Sequence, residues 1–549
     1  MKTRAYIIFS VLAAAALILS ACGPASTPPP TSIPPTKAPA PLPEPTKPPA
    51  PPPPTAAPVA PTLPAGPKAG GTLVFGLASD IPSIEPHLEA ASVWHQRKPL
   101  IYENLTWVDY DVVAKPMLAE SWEVKDNKVF TFKLRQGVKF HNGKELDADD
   151  VKYSLERQLD EKLGSAGRGD LLMIDKIEVV DKSTIRITLN EPSGVFLAAL
   201  GARYNAIIPK DSAPTPDTLR RAAIGTGPFM VEEFVPSQKL VLKKNPDYWD
   251  KGKPLLDKLV FQQIPDETSI VAGLRAGTLD AAVLLDAQQF LLLKDDKTLV
   301  SMQAPAIQFN TMELPCDVKP LDNPKVRQAI SLAIDKPSIV QAAIFGLGQV
   351  VGGMPPAMKF WATPLDQLPN QKRDVAQAKQ LLTEAGFGNG FDLKLRSISG
   401  DATYAAIAPV IAANLKDVGI QVKVETIDIG VWIEDWRARR EPATLNDWGG
   451  FMDPDLLYYR HFHSQPMGMD FRRCASTQLD QLLEKGRATV DPAQRKQYYD
   501  AVQKLLAEEV PMIPLFSADT LYVTQPYVKG FTPHPSGWYY GFKDAWLDK

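Results

Sequence analysis

The stretch AIAPVIAANLKDVGIQVKVET, Ala406 to Thr426, carries the reading of the fold. Its first part predicts a helix over 406–417 that ends at Gly419, since glycine adopts the left-handed backbone that closes a helix without steric cost. Its second part, 420–426, alternates apolar and polar side chains at the period of a strand. Just upstream, 374–385 reads as another helix, ended by Gly386. Helix, glycine, strand in that order indicates an α/β lobe.

The rest of the body obeys the same grammar. Residues 71–77 alternate as a strand, and Phe130, Phe132 and Leu134 share one face of another while Thr131, Lys133 and Arg135 share the opposite one. Lys125-Asp126-Asn127-Lys128 supplies a turn, which makes 121–135 a hairpin. Asp147 is placed to cap a helix, with Asp150 three residues on as the second half of a capping box. Asp491-Pro492 opens a further helix whose apolar face is read as Tyr498, Ala501, Val502 and Leu505. Pro511 stops it, and 513–516 is extended. No tandem repeat of 20 to 50 residues is present.

At 549 residues the chain is too long for one core. With 60 basic against 63 acidic side chains, it lacks the surplus of cations that a nucleic-acid surface needs. Cys22, Cys316 and Cys474 show no C-x-x-C spacing, so the fold is expected to rest on packed cores and not on bridges or a zinc knot. Met1 to Ala21 reads as a secretory signal: Lys2 and Arg4 precede an apolar run over 6–19 that is short for a membrane span. Small residues then surround Cys22, as in a bacterial lipobox, and acyl chains there would anchor the protein without spanning the bilayer. From Gly23 to Ala69 there are 20 prolines and hardly a large apolar side chain. Such a segment cannot bury enough surface to fold, and it reads as a semi-rigid extended tether.

Signatures for chemistry are missing. G-x-S-x-G, H-E-x-x-H, G-x-x-x-x-G-K-[ST] and G-x-G-x-x-G do not occur, so the chain is read as a non-enzyme that needs no cofactor. His461-Phe462-His463, with Asp453, Asp455 and Asp470 near in sequence, is the one metal-like group; its alternative is a pair of ordinary hydrogen-bonded histidines. Trp94, Trp432, Trp436, Trp448, Tyr458 and Tyr459 lie among Gly, Asp and Asn, a mixture suited to gripping a partly polar ligand. The run Asn446-Asp447-Trp448-Gly449-Gly450-Phe451-Met452-Asp453-Pro454-Asp455 is the leading binding loop.

Longer motifs then point to a family. Pro116-Met117-Leu118-Ala119-Glu120-Ser121-Trp122, the strand at 130–134, Arg135-Gln136-Gly137-Val138-Lys139-Phe140-His141-Asn142-Gly143 and Ala148-Asp149-Asp150-Val151 form one block. Gly225-Thr226-Gly227-Pro228-Phe229, Asn245-Pro246-Asp247-Tyr248-Trp249, Leu274-Arg275-Ala276-Gly277 with Asp280, Asn323-Pro324-Lys325-Val326-Arg327-Gln328-Ala329 and Pro511-Met512-Ile513-Pro514-Leu515 follow in order. Together they resemble the bacterial extracellular solute-binding proteins of family 5, the peptide, oligopeptide and nickel-binding group of ABC importers.

The resemblance implies an α/β fold of two lobes, the type II periplasmic-binding-protein arrangement in its large cluster C form, with an extra subdomain in the first lobe. The expected boundaries are signal 1–21, lipidated cysteine and tether 22–69, first lobe 70–108, 208–305 and 513–549, inserted subdomain 109–207, and second lobe 306–512. Chain crossings near Pro305 and Ile513 would form the hinge. The implied function is a monomeric, lipid-anchored receptor that delivers a peptide or other small solute to an ABC permease and its ATPase subunits. A nickel or metal-chelate receptor with His461 and His463 as ligands, and a secreted hydrolase or sensor, are the alternatives. Implied ligand contacts are Glu89, Trp94, Asn310, Trp448, Gly449, Phe451 and Asp453. In many peptide-binding relatives an aspartate stands where this chain has Phe451 and pairs with the peptide's ammonium group. Its replacement disfavours free-amine peptides unless another acid substitutes, with Glu89, near Ile84-Glu85-Pro86-His87, and Asp453 as candidates.

Overall fold

Local signals in the sequence become elements where side chains satisfy the ends of the backbone. The computed structural model describes residues 66–549 except 81, 89–95, 166, 203, 216–217, 221, 439, 441, 450, 465–473 and 475. The signal, Cys22, nearly all of the tether, Glu89, Trp94 and Asp470 lie outside the described residues, as does the side chain of Trp436. Strands Ala119–Lys125 and Val129–Leu134 form the expected hairpin, and its turn places both Asp126 and Asn127 at positive φ, 55° and 52°. That is the primed geometry that matches the twist of the flanking strands. Phe130, Phe132 and Leu134 are buried along one face. Helix Ala148–Leu159 opens on the capping box: Asp150 N–H donates to Asp147 Oδ1 at 3.2 Å, and Asp147 N–H donates to Asp150 Oδ2 at 3.0 Å.

Two expected elements shift. The helix read as 406–417 runs over Ala402–Lys416, because Asp401 caps it by accepting from Tyr404 N–H at 2.9 Å, with Pro409 inside it. The C-terminal helix, Pro492–Glu509, buries Arg495, Tyr499, Val502 and Leu506 in place of Tyr498, Ala501 and Leu505. Ion pairing turns that face by one residue, as the site below makes clear.

Twelve strands of the described residues form one sheet. From one edge the order is Ile420–Ile427, Phe391–Ile398, Ala443–Trp448, Phe309–Glu313, Met512–Thr524, Ala281–Leu284, Thr72–Leu77, Lys258–Gln263, Lys239–Lys244 and Phe229–Val235. Val300–Pro305 and Gly348–Val350 also pair with Met512–Thr524. This thirteen-residue strand is far longer than the four residues expected, and it is common to both lobes. Its start pairs with Phe309–Glu313, and its end pairs with Ala281–Leu284 and Val300–Pro305. A separate antiparallel sheet of Ala119–Lys125, Val129–Leu134, Thr184–Leu189 and Ile174–Asp181 lies within the span read as inserted.

Each lobe has its own apolar interior. Leu73, Phe75, Phe261, Tyr539 and Phe542 form the main core of one. Met312, Leu395, Ile407, Ile411 and Leu445 form that of the other. Burying one such side chain contributes about 1.5–3 kcal/mol.

The family-like motifs of the first lobe converge on an unforeseen residue, Glu103. Its buried carboxyl accepts from Tyr248 OH at 2.7 Å, Trp249 Nε1 at 2.8 Å, Thr226 Oγ1 at 2.9 Å and Tyr540 OH at 3.3 Å. Burial pushes Glu103 up to about 7 although those donors pull it down. Gly225 and Gly227 let the chain pass close to Ile101: a Cβ at Gly225 would lie 2.0 Å from the Ile101 carbonyl oxygen.

The expectation of a bridge-free fold is corrected. Cys316 and Cys474 form a disulfide with Cα atoms 5.1 Å apart. A sequence separation of 158 left no local spacing by which to foresee it.

Candidate functional site

Strand direction defines where the two lobes can present a ligand. Thr72–Leu77, Lys258–Gln263 and Ala281–Leu284 run parallel in one lobe, and Phe391–Ile398, Ile420–Ile427 and Ala443–Trp448 run parallel in the other. Ligands of open α/β sheets gather beyond the carboxyl ends of such strands. The short link 306–308 carries the chain from Val300–Pro305 into Phe309–Glu313 beside the continuous strand Met512–Thr524. Ser517 ties these crossings together, its hydroxyl donating to Gln308 O at 2.7 Å and to Ala306 O at 3.1 Å. The long strand exchanges partners around Ser517, four residues beyond Ile513.

The loop at 446–455 starts beside this junction. Gly449 packs so closely on Gln308 that a Cβ would fall 2.7 Å from its Cγ. Trp448 is only 4% exposed. Its indole N–H donates to Glu313 Oε1 at 2.8 Å, and its ring lies against His461 and Phe462, with centroids 4.0 and 5.4 Å away. Its hydrogen bond and these ring contacts support the loop from beneath. Asn446 donates to the same Glu313 oxygen at 2.8 Å. Phe451 is half-buried, 5.1 Å from the His461 ring. Asn310 is half-buried opposite Asp447 in the sheet register.

Asp453, the other acid expected at the ligand, has internal partners. It caps helix Pro454–Phe462, and both of its oxygens accept from Arg495, Nη1 and Nη2 each at 2.8 Å. Asp455 is fully buried, held by Arg487 at 2.7 Å and Tyr499 OH at 3.1 Å. Burial alone would depress the Arg495 guanidinium; Asp453, Tyr499 and Asp455 together outweigh it and hold that group above the ordinary arginine range. A bidentate buried pair of this kind fixes orientation, and it explains why Arg495 and Tyr499 face inward on their helix. Sequence reasoning missed Arg487, Arg495 and Glu313. A buried Asp-Pro-Asp demands cations, but nothing in the sequence shows which arginines arrive.

Of the acids proposed to join a histidine metal site, Asp453 and Asp455 are engaged by arginine. His461 Nδ1 lies 2.5 Å from Leu457 O, and His463 Nε2 lies 3.3 Å from Glu484 Oε1. The rings lie on different partners, Trp448 for His461 and Tyr459, at 4.3 Å, for His463. Among the described residues no three His, Cys, Asp or Glu side chains gather as metal ligands. Of the other aromatics, Tyr458 is buried with its OH donating to Gly353 O at 2.9 Å, and Trp432 Nε1 donates to Thr444 Oγ1 at 3.3 Å.

The family description "Bacterial extracellular solute-binding proteins, family 5 Middle" matches residues 113–469, well over half of the chain. This protein belongs to that family. Heme-binding protein A of Haemophilus influenzae is 30% identical over 464 residues, 78% of this chain and 83% of its own. The dipeptide-binding protein of Escherichia coli is 29% identical over 454 residues, 77% and 84% of the two chains. The periplasmic binding protein DppA of Helicobacter pylori, associated with an ABC transporter and solved with the peptide STSA, superposes with a TM-score of 0.71 at 28% identity. That match covers 88% of this chain and 99% of the other. As a family 5 member, the protein is an extracytoplasmic solute-binding protein with the two-lobed type II fold. No helix among the described residues is long and apolar enough to cross a membrane.

Proposed function

We propose that this protein is the lipid-anchored receptor of an ABC importer, capturing an oligopeptide-like or other medium-sized organic solute between its lobes and handing it to a permease by hinge closure. The observation that carries the reading is the junction at Ser517. Two chain crossings lie side by side there, and the carboxyl strand ends of both lobes flank them. Such a joint permits rigid-body rotation, and a solute touching both walls favours the closed state through its differential affinity. In this reading the lobes keep the boundaries expected from the sequence, and Cys22 would supply the anchor. The Cys316–Cys474 disulfide supports an oxidising, extracytoplasmic location.

The test is a thermal-shift and tryptophan-fluorescence screen of the protein against peptides, sugars, opines and metal chelates, followed by small-angle scattering with the best hit. A ligand at 100 times its dissociation constant should stabilise by about 2.7 kcal/mol. Unchanged dimensions on saturation, or chemical alteration of the ligand, would rule the proposal out.

A further inference from the structure

The span read as inserted is fastened to the first lobe. Its core takes in Leu105, Ile224 and Trp249, and its Arg157 pairs with the buried Glu85 at 3.1 Å. The same span also grips the second lobe at two places. At one, Gly194 N–H donates to Arg487 O at 2.6 Å, Asn127 Nδ2 donates to Ala488 O at 3.1 Å, and Val490 packs against the core that holds Phe130 and Phe132. The backbones there are so close that a Cβ on Gly194 would fall 1.8 Å from Thr489 O. At the other, the buried Trp361 indole N–H donates to Val112 O at 3.1 Å. Val112 holds φ at 58°, which a β-branched residue avoids, in a turn where Asp109 Oδ1 accepts from Val113 N–H at 3.0 Å. Such backbone strain persists only where the surroundings impose it.

These places form one seam with the crossing between the lobes. Val112 and Trp361 share an apolar cluster with Ile307 of the link and with Tyr499. Arg495 continues the seam: its guanidinium lies 5.3 Å from the Trp361 ring centre, and its Nε donates to Gly486 O at 2.9 Å. The same Arg495 holds Asp453, and Arg487, whose carbonyl receives Gly194, holds Asp455, so the seam is wired to the foot of the loop at 446–455. A rigid-body rotation leaves in place only what lies along its axis. Parting these contacts would expose apolar surface and leave buried hydrogen-bonding groups without partners, so rotation along the seam is the inexpensive path.

We propose that this seam is the bearing on which the second lobe turns, and that the inserted span keeps its grip on Trp361 and on the 487–490 corner in both the open and the closed states. The proposal rests on the hinge closure inferred above and gives the inserted span a part in it: it steers the loop at 446–455 toward the first lobe along one path.

Asn127→Cys and Ala488→Cys, introduced together in the full chain and joined by a short bismaleimide, fix one end of the seam; peptide mass mapping verifies the link. The probe is the tightest binder from the screen described above, and the readouts are its affinity and the change in radius of gyration that it induces. The linked protein should close by the full amount and bind within about two-fold of the same variant before linking. If linking abolishes the change in dimensions or weakens binding about ten-fold or more, the bearing is overturned while hinge closure stands, because the unlinked variant still closes. If the native protein itself keeps its dimensions at saturation, closure falls and the bearing falls with it. Trp361→Phe keeps the ring and removes the donor to Val112. A bond present in both states contributes equally to each, so affinity should change by less than about two-fold. A change of about five-fold or more would mark a contact made in one state alone and would overturn the proposal.

Discussion

Raising the pH from about 4.5 to about 8 should weaken the fold through one carboxyl, that of Glu103. Its site holds four neutral donors and, among the described residues, no paired cation, and burial lifts it from the ordinary 4.5 to about 7. The folded chain therefore keeps a proton that the unfolded chain has released between these values. Stability from this group is fully present below 4.5, declines as the pH rises, and is gone once the pH has passed about 7. At ~1.4 kcal/mol per pH decade the loss is about 3 kcal/mol. For a body of this size that corresponds to roughly 3 °C in Tm. Glu103→Gln removes the titration while offering one acceptor to Trp249 and Thr226 and an amide to the two tyrosine hydroxyls. The assay is denaturant unfolding of native and variant proteins at a series of pH values. The difference between the two should grow by about 3 kcal/mol across the window and be flat above it. Taking the difference cancels other buried groups, such as Lys336, whose amine burial lowers to about 7. Parallel curves across the whole range would refute the argument.

Breaking the Asp453–Arg495 pair on one side, by Asp453→Ala or Arg495→Met, should cost about 3–5 kcal/mol because the remaining charge is buried without a partner. The double variant should cost clearly less than the sum, as a double-mutant cycle in urea would report. Reducing Cys316–Cys474, or replacing both by Ala, should destabilise by about 2–5 kcal/mol through the long loop that the bridge closes; indifference of the unfolding midpoint to reductant would contradict this. Gly194 N–H donates to Arg487 O at 2.6 Å, and a Cβ there would fall 1.8 Å from Thr489 O. Gly194→Ala should therefore cost about 1–3 kcal/mol and shift the scattering profile toward a looser contact between the 190s segment and the second lobe.

Much of the fold was legible because its signals are local. The hairpin at Asp126-Asn127, the capping box at Asp147 and the glycine-ended helices each follow from residues a few positions apart, and the ordered family-like motifs gave the two-lobed arrangement. The reasons for those motifs were not legible. Only folding brings Thr226, Tyr248, Trp249 and Tyr540 onto Glu103, across separations of up to 437 residues. The site divides in the same way. Sequence alone determined which loop carries the aromatic and acidic residues. Tertiary structure decided that Arg487 and Arg495 take two of the acids and that Trp448 lies beneath the surface. A cap or a turn is settled within one or two turns of chain. The partner of a buried charge is chosen by whichever distant element packs against it, and sequence spacing does not encode that choice.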